Sequence, residues 1–229
     1  MTPRLSRTLL VMSTLLLFVL VITGCSDSGK GKTPQKTNET SADQPVRIED
    51  LRNTYPHLGN PDAQNKILLF ADFKCPHCKT FDEEIFPKLL STYVDTGKAE
   101  LFYIPLPVLG GDAYTAAQAA LAVHDEDPGA FWAYAQTLFA HQESPSKGWA
   151  TPVRLIELGE SIQPPVERTT IEQGLKSDAI REAIDQGKMI AEHYGLSAVP
   201  SLVINDRLLT NAHGEPDAFD WQAIEKALK

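Results

Sequence analysis

The sequence has little cysteine, with only Cys25, Cys75 and Cys78 among its 229 residues. A structural disulfide stabilises a fold most when it closes a long loop, but only Pro76 and His77 separate the last two cysteines. A bond across so short a loop has tight geometry and stabilises little. The Cys75–Cys78 pair is therefore better explained as reactive chemistry than as a structural disulfide.

Several familiar motifs are absent as well. The sequence has no G-x-G-x-x-G, no P-loop, no G-x-S-x-G and no H-E-x-x-H, so nucleotide binding, serine hydrolysis and zinc proteolysis lack their usual residues. Basic residues are in deficit, 21 against 30 acidic ones, which gives a formal charge of −9. Because nucleic-acid binding needs a basic surface, we expect no nucleic-acid partner.

One long apolar run occurs at residues 9–22, after Arg4 and Arg7 and shortly before Cys25. A positive segment followed by a short apolar stretch is typical of a secretory signal, and this stretch is short for a full membrane span. We predict a domain that lies outside the cytoplasm and is tethered to a membrane. An uncleaved N-terminal membrane anchor is the alternative.

The segment 26–45 contains no large apolar residue and is rich in Gly, Ser, Thr and Lys. This composition predicts a disordered linker. About twenty such residues would span roughly 25 Å root-mean-square, enough for a domain to rotate above a membrane. The folded part is expected to begin near Val46.

The folded part should open with a strand–helix–strand unit. Residues 66–72 and 99–104 predict buried strands, and residues 76–94 carry the apolar stripe of a helix. Pro87 should kink this helix, and Gly97 is a plausible residue to end it. A strand–helix–strand unit of this kind is a right-handed crossover with parallel strands.

Only helical patterns follow, over residues 112–195. Thr151-Pro152 is typical of an N-cap followed by proline at the first helical position, and Pro164-Pro165 is expected to open another helix. A long helix is predicted over 177–194, ending at Gly195. The aromatic residues of 130–140 are interpreted as core packing rather than as a cofactor site.

The strand pattern returns after Gly195. Residues 201–204 and 207–210 predict two strands joined by a tight turn at Asn205-Asp206. Residues 217–228 predict a final helix.

The most informative motif is Cys75-Pro76-His77-Cys78, which follows the first predicted strand. If a helix starts at Cys75, its free N–H groups and positive dipole end face the first thiol. Such a thiol ionises near or below neutral pH and is nucleophilic. Cys78, one turn further along, can close a disulfide with it, so a redox dithiol is the leading hypothesis.

The order β-α-β, helical block, β-β-α, with C-P-H-C at the first strand–helix junction, resembles an α/β thioredoxin fold with a helical insertion. The residues Ser197-Ala198-Val199-Pro200-Ser201 before the late strand strengthen the resemblance. The chain is most similar to DsbA-type (BdbD-like) thiol–disulfide oxidoreductases, in particular the lipoprotein-anchored ones. The implied division is a signal peptide at 1–24, a lipidated disordered tether at 25–45, a thioredoxin-like domain at 46–109 and 195–229, and a helical insertion at 110–194.

The resemblance implies roles for the four motif residues. Cys75 should be the exposed thiol of low pKa, and Cys78 the buried thiol that re-forms the internal disulfide. The dipeptide Pro76-His77 is that of an oxidant, since a hydrogen bond from His77 to the Cys75 thiolate would stabilise the reduced form.

The resemblance also places a substrate-binding segment at Val199 and Pro200. A cis peptide bond is expected between them, packed against the dithiol. The Val199 backbone would then be free to pair with an extended substrate segment.

One position departs from the family pattern. The family often carries a buried acid, a proton shuttle for the buried thiol, at the position that Leu69 occupies here. Asp72 is the nearest acid upstream of the motif, but its strand parity is opposite to that of Leu69, so it is expected to face elsewhere.

The residues Ile22-Thr23-Gly24-Cys25 resemble the lipobox of bacterial lipoproteins, which implies that Cys25 is diacylated and anchors the chain to a bacterial membrane. The family implies reduced exported proteins as substrates and a DsbB-type membrane quinone reductase as re-oxidant. We expect no cofactor beyond the Cys75–Cys78 disulfide and no metal, and we take a monomer as the default state.

Three alternatives remain open. An enzyme of the same fold could work in the opposite direction, as a membrane-tethered disulfide reductase or isomerase. Cys75, Cys78 and His77 could instead offer soft ligands to a metal, although structural zinc needs four ligands and the other histidines show no paired spacing. The chain could also be a non-catalytic interaction module that keeps the fold.

Overall fold

The computed structural model describes residues 46–229. The predicted signal peptide, lipidation at Cys25 and tether fall in residues 1–45 and lie outside the described residues. The helices are α1 (Ile48–Thr54), α2 (Pro76–Glu84), α3 (Phe86–Leu89), α4 (Gly111–Glu126), α5 (Pro128–Ala140), α6 (Pro152–Ser161), α7 (Arg168–Gly174), α8 (Asp178–His193) and α9 (Trp221–Ala227). The strands are β1 (His57–Gly59), β2 (Asn65–Ala71), β3 (Ala99–Pro105), β4 (Ser201–Ile204) and β5 (Arg207–Leu208).

The strands form one sheet in the order β1-β3-β2-β4-β5. β2 pairs in parallel with β3 and antiparallel with β4, so the strand that leads to the cysteines is central. Its side chains alternate between two faces. Leu69 packs with Phe81 of α2 on one face, and Leu68 packs with Ile184 of α8 on the other. The predicted parallel β-α-β unit is confirmed.

The helix predicted over 76–94 consists of three consecutive segments. α2 ends at Glu84, α3 begins at Phe86, and a π-helical turn covers Leu90–Val94. The break falls at Ile85, two residues before Pro87, which has no N–H to continue the ladder. Gly97 follows with a φ of +72°, the left-handed conformation that glycine adopts without strain.

The predicted helical block is confirmed as five helices, α4–α8, inserted between β3 and β4. Thr151 caps α6 through a hydrogen bond from Arg154 N–H to its Oγ1 (3.3 Å). Pro164-Pro165 opens no helix, because a residue followed by proline is pushed away from helical geometry. The pair lies in the connection to α7, which begins at Arg168.

The sequence did not predict α1 and β1, which precede the central strand. β1 is only three residues long and adds an antiparallel edge to β3. Glu100 of β3 is fully buried, and it accepts hydrogen bonds from Arg52 of α1 (2.7 Å) and Lys66 of β2 (2.7 Å). This buried ion-pair cluster fixes α1 against the sheet.

The C-terminal elements follow the predicted order with shorter bounds. Asn205 and Asp206 have positive φ values of 50° and 62° in the β4–β5 turn, as a tight hairpin turn requires. β5 ends at Leu208, and α9 begins only at Trp221, where the Asp220 side chain accepts from the Ala223 N–H (3.0 Å). Within residues 46–229, no helix is long and apolar enough to cross a membrane.

Candidate functional site

Cys75 lies where the central strand meets its helix. β2 ends at Ala71, a turn is closed by the Cys75 N–H donating to the Asp72 carbonyl (3.0 Å), and Cys75 is the N-cap residue of α2. Pro76 fits the first helical position because an N–H there would have no helical partner. Cys75 and Cys78 are both free thiols, one helical turn apart on one helix face.

Electrostatics make Cys75 the nucleophile. Its pKa is lowered to about 6, chiefly by the hydrogen bond from the Cys78 thiol. Burial opposes this shift, while the backbone N–H groups of Cys78 and His77 in the first turn of α2 add to it. Because the thiolate is the reactive form, Cys75 is largely nucleophilic at neutral pH.

Cys78 is the opposite kind of thiol. It is 1% exposed, and its sulfur accepts a hydrogen bond from the Asp72 backbone N–H (3.4 Å). Burial raises its pKa far above the usual range, and the neighbouring Cys75 raises it further. Cys78 therefore stays protonated unless a base removes its proton.

The predicted exposure of Cys75 is wrong. The residue is only 5% exposed, and its sulfur lies 3.6 Å from the Val199 carbonyl oxygen, to which the thiol donates when it is protonated. The sequence pattern did not show that the loop before β4 would cover the start of α2. A substrate must therefore approach Cys75 alongside this loop.

The Val199–Pro200 peptide bond has the predicted cis geometry. Within the described residues, the Val199 N–H donates to no other group, and its carbonyl contacts the Cys75 thiol. The structure therefore brings these two residues and the dithiol together, although they are far apart in sequence.

A thioredoxin family profile matches residues 52–226. The chain is 31% identical over 179 residues to the probable disulfide bond formation protein D of Bacillus cereus, covering 77% of this chain and 80% of that protein. The crystal structure of oxidised BdbD from Bacillus subtilis matches with a TM-score of 0.67 and 27% identity, over 77% of this chain and 91% of that one. This chain is a DsbA-type member of the thioredoxin family.

A second solved structure agrees with this assignment. Chlamydia trachomatis DsbA matches with a TM-score of 0.65 and 28% identity, over 76% of this chain and 89% of that one. The fold is the predicted α/β thioredoxin fold with a helical insertion, and the DsbA-type chain is a thiol–disulfide oxidoreductase.

The side chain of His77 does not have the predicted contact. Both Pro76 and His77 are exposed, and in the described part of this DsbA-type chain no hydrogen bond joins the imidazole to Cys75. His77 acts on the Cys75 thiolate through its backbone N–H instead. The physical reason is its position in the first helical turn, which directs the N–H towards the N-cap residue and the side chain outward.

Asp72 is buried directly after β2, and its charge opposes the lowering of the Cys75 pKa and adds to the raised pKa of Cys78. The expectation from strand parity that Asp72 faces elsewhere stays a prediction. Its carboxylate accepts backbone hydrogen bonds from Lys74 (2.7 Å), Val108 (2.8 Å) and Leu109 (2.9 Å). Burial raises its pKa, and these three donors partly oppose that effect. Asp72 therefore holds the loop after β3 against the turn that carries Cys75.

Two further contacts join the helical insertion to the motif, and sequence reasoning missed both. Lys74 is 2% exposed and pairs with Asp112 of α4 (2.5 Å). Gln142, just after α5, donates to the carbonyl oxygens of Phe73 (2.7 Å) and Cys75 (3.2 Å). The one available sequence signal was Lys74, directly before the nucleophile. A lysine that is buried at such a position needs an acidic partner.

Within residues 46–229, no group of three or more His, Cys, Asp or Glu side chains is placed to hold a metal ion.

Proposed function

We propose that this DsbA-type enzyme forms disulfides in reduced exported proteins by donating a Cys75–Cys78 disulfide. One observation carries the proposal: two adjacent thiols at a helix start have pKa values displaced in opposite directions. A nucleophile and a protonated resolving thiol are the two parts that disulfide exchange needs. The curated relatives are named disulfide bond formation proteins, which supports this direction.

The exchange has two steps. A substrate thiolate attacks the Cys75 sulfur, the Cys75–Cys78 bond breaks, and the electron pair of that bond stays on Cys78, which takes up a proton. A second substrate thiolate then attacks the first substrate sulfur and releases Cys75 as a thiolate. The substrate has lost two electrons, and the enzyme disulfide has become a thiolate and a thiol.

The same geometry favours oxidation over reduction. Every interaction that lowers the pKa of Cys75 stabilises the reduced enzyme, because only the reduced form has a thiolate to stabilise. The reduced enzyme that remains after the exchange is therefore lower in energy, and the Cys75–Cys78 disulfide is readily transferred to the substrate.

Substrates would bind beside Val199. Its free backbone N–H can pair with an extended peptide, as in strand addition, and its carbonyl lies 3.6 Å from the Cys75 sulfur. A peptide bound there would bring its own cysteine next to Cys75. Because the contacts are with backbone, many sequences would be accepted.

We place the enzyme outside the cytoplasm, lipidated at Cys25 and re-oxidised by a DsbB-type membrane quinone reductase. The motif Ile22-Thr23-Gly24-Cys25 supports the lipid anchor. Labelled palmitate should be incorporated into the full chain and not into the Cys25→Ala variant. Labelling of both chains alike would contradict lipidation at this residue.

The equilibrium reduction potential of the full chain in a glutathione buffer tests the direction of the reaction. A value near about −120 mV is that of a strong oxidant and supports the proposal. A value near about −270 mV, that of a reductase, would overturn it in favour of a membrane-tethered reductase or isomerase. The Cys78→Ser variant should trap substrates as mixed disulfides on Cys75, and the Cys75→Ser variant should not.

A further inference from the structure

Gln142, in the helical insertion, contacts the backbone of the nucleophile. It is the second residue after α5, and its amide nitrogen donates to the carbonyl oxygens of Phe73 (2.7 Å) and Cys75 (3.2 Å). An amide nitrogen has two N–H donors, so Gln142 uses both of them on the turn that carries Cys75. A side chain far away in the sequence therefore fixes the reactive residue directly.

The two carbonyl groups differ in what else binds them. The Cys75 carbonyl also accepts from the Lys79 N–H (3.1 Å), the first hydrogen bond of α2. Phe73 is 1% exposed, and within residues 46–229 its carbonyl has no hydrogen-bond partner other than Gln142. Because a buried carbonyl without a partner is costly, the turn depends on Gln142 for its shape.

The connection between α5 and α6, residues 141–151, contacts the same turn at its other end. Ala150 donates from its N–H to one oxygen of the Asp112 carboxylate (3.3 Å). The other oxygen of that carboxylate pairs with Nζ of Lys74 (2.5 Å), which directly precedes Cys75. The start of this connection therefore holds the backbone of the turn, and its end holds the neighbouring side chain.

These contacts lie on the carbonyl side of Cys75, and the reactive groups lie on its thiol side. The sulfur is 3.6 Å from the Val199 carbonyl oxygen. As the N-cap residue of α2, Cys75 also lies at the free N–H groups of the first helical turn. Because hydrogen bonds weaken steeply when they are misaligned, these donors stabilise the thiolate only while the backbone of Cys75 keeps its orientation.

We propose that Gln142 is a positioning residue for the nucleophile: by holding the carbonyl oxygens of Phe73 and Cys75, it keeps the Cys75 sulfur directed towards the first turn of α2. The proposal rests on the redox role proposed for the Cys75–Cys78 pair. Gln142 forms no bond to the substrate and carries no proton in the exchange. The helical insertion thereby sets the reactivity of the thiol as well as the stability of the fold.

The attack by Cys75 can be measured by itself. The reduced full chain is mixed with an aromatic disulfide, the Cys75 sulfur bonds to one half, and the other half leaves as a coloured thiolate. In the wild type the rate should have its inflection near pH 6, where Cys75 ionises.

Gln142→Met has a similar shape but no N–H donor, so the Cys75 thiolate should lose part of its stabilisation. The inflection should move to higher pH by about half a unit to one unit, the shift that one net hydrogen bond supplies. Thiolate absorbance in the ultraviolet should show the same shift, and the reduction potential should become more negative. Gln142→Ala lacks the donors as well and gives the same test where the methionine variant does not fold.

Gln118→Met is the matched control. Gln118 also lies in the insertion and donates to a backbone carbonyl, that of Leu175 (3.3 Å), but it has no hydrogen bond to the turn at 72–75. Both methionine variants should unfold at lower denaturant concentration than the wild type, and only Gln142→Met should move the inflection.

An inflection that stays near pH 6 in a folded Gln142 variant would overturn the proposal. An equal shift in Gln118→Met would also overturn it, because the effect would then come from general loosening of the insertion. A wild-type chain that releases no coloured thiolate would instead refute the redox role of the pair.

Discussion

At the scale of single residues, the reactivity of Cys75 depends mainly on its neighbour. The Cys78 thiol is the largest cause of the lowered Cys75 pKa, ahead of the helix start. Cys78→Ala should therefore raise the Cys75 pKa from about 6 towards its ordinary value. The pH dependence of thiolate absorbance in the ultraviolet measures this directly.

The matched control for this prediction is Cys78→Ser, which keeps a hydrogen-bond donor at the same place. Its Cys75 pKa should lie between those of the reduced wild type and the alanine variant. A Cys75 pKa that stays at about 6 in both variants would show that the first turn of α2, rather than the neighbouring side chain, sets the reactivity.

At the scale of elements, Asp72 connects the turn before α2 to the loop after β3. Its carboxylate accepts three backbone N–H groups, so Asp72→Asn should lower the free energy of unfolding by about 1–3 kcal/mol. Disulfide exchange per folded molecule should change less than about tenfold, since the Asp72 carboxylate is occupied by three backbone donors. Denaturant unfolding and a thiol-exchange assay measure the two effects, and a greater loss of exchange rate would show that Asp72 takes part in proton transfer.

At the same scale, the buried cluster of Glu100, Arg52 and Lys66 connects α1 to the sheet. Burial raises the pKa of Glu100, but hydrogen bonds from Arg52 and Lys66 outweigh it, and the net shift is downward. Its stabilising effect is therefore present above the ordinary glutamate pKa and is lost as pH falls through the lower folded value.

Glu100→Gln should reduce the free energy of unfolding at pH 7 by about 1–3 kcal/mol, because it leaves two cations without their buried partner. The exposed pair of Glu143 and Lys147 offers the control. Glu143→Gln should change stability by less than about 1 kcal/mol. Equal losses in the two variants, measured by denaturant titration, would contradict a special role for the buried cluster.

At the scale of the whole molecule, the oxidation state should control stability. The reduced form contains the Cys75 thiolate, and the pKa of this group is lower in the folded chain than its ordinary value of 9.0. Its stabilising effect is fully present above pH 9 and is lost as pH falls through about 6. The stability advantage of the reduced over the oxidised form should therefore grow between about pH 6 and pH 9.

Calorimetry of both forms across this range checks the prediction. Above pH 9 the advantage should fall again, because unfolded Cys78 ionises there while folded Cys78, with its raised pKa, does not. A stability difference between the reduced and oxidised forms that does not change from pH 6 to pH 9 would refute the link between the Cys75 thiolate and the stability of the reduced form.

Much of this molecule could be predicted from local patterns, and the rest depends on distant contacts. Periodicity and Pro87 predicted the β2–α2–β3 unit and its broken helix, whereas the direction in which Asp72 faces stays a prediction from strand parity. The pairing of Lys74 with Asp112 joins segments that no local pattern relates. The covering of Cys75 by Val199 is a contact of the same kind, so the exposure of Cys75 was predicted wrongly.

The position of β4 has a consequence for how the chain is made. Leu69 of the central strand pairs with Leu202, which the ribosome adds only after all of α4–α8. During synthesis β2 therefore has one open edge, a site for wrong pairing with other chains. Val199 arrives at the same late moment, so a chain that lacks this segment leaves Cys75 without its cover. A chain stopped before residue 199 would carry both cysteines but neither the cover over Cys75 nor the strand that closes the sheet.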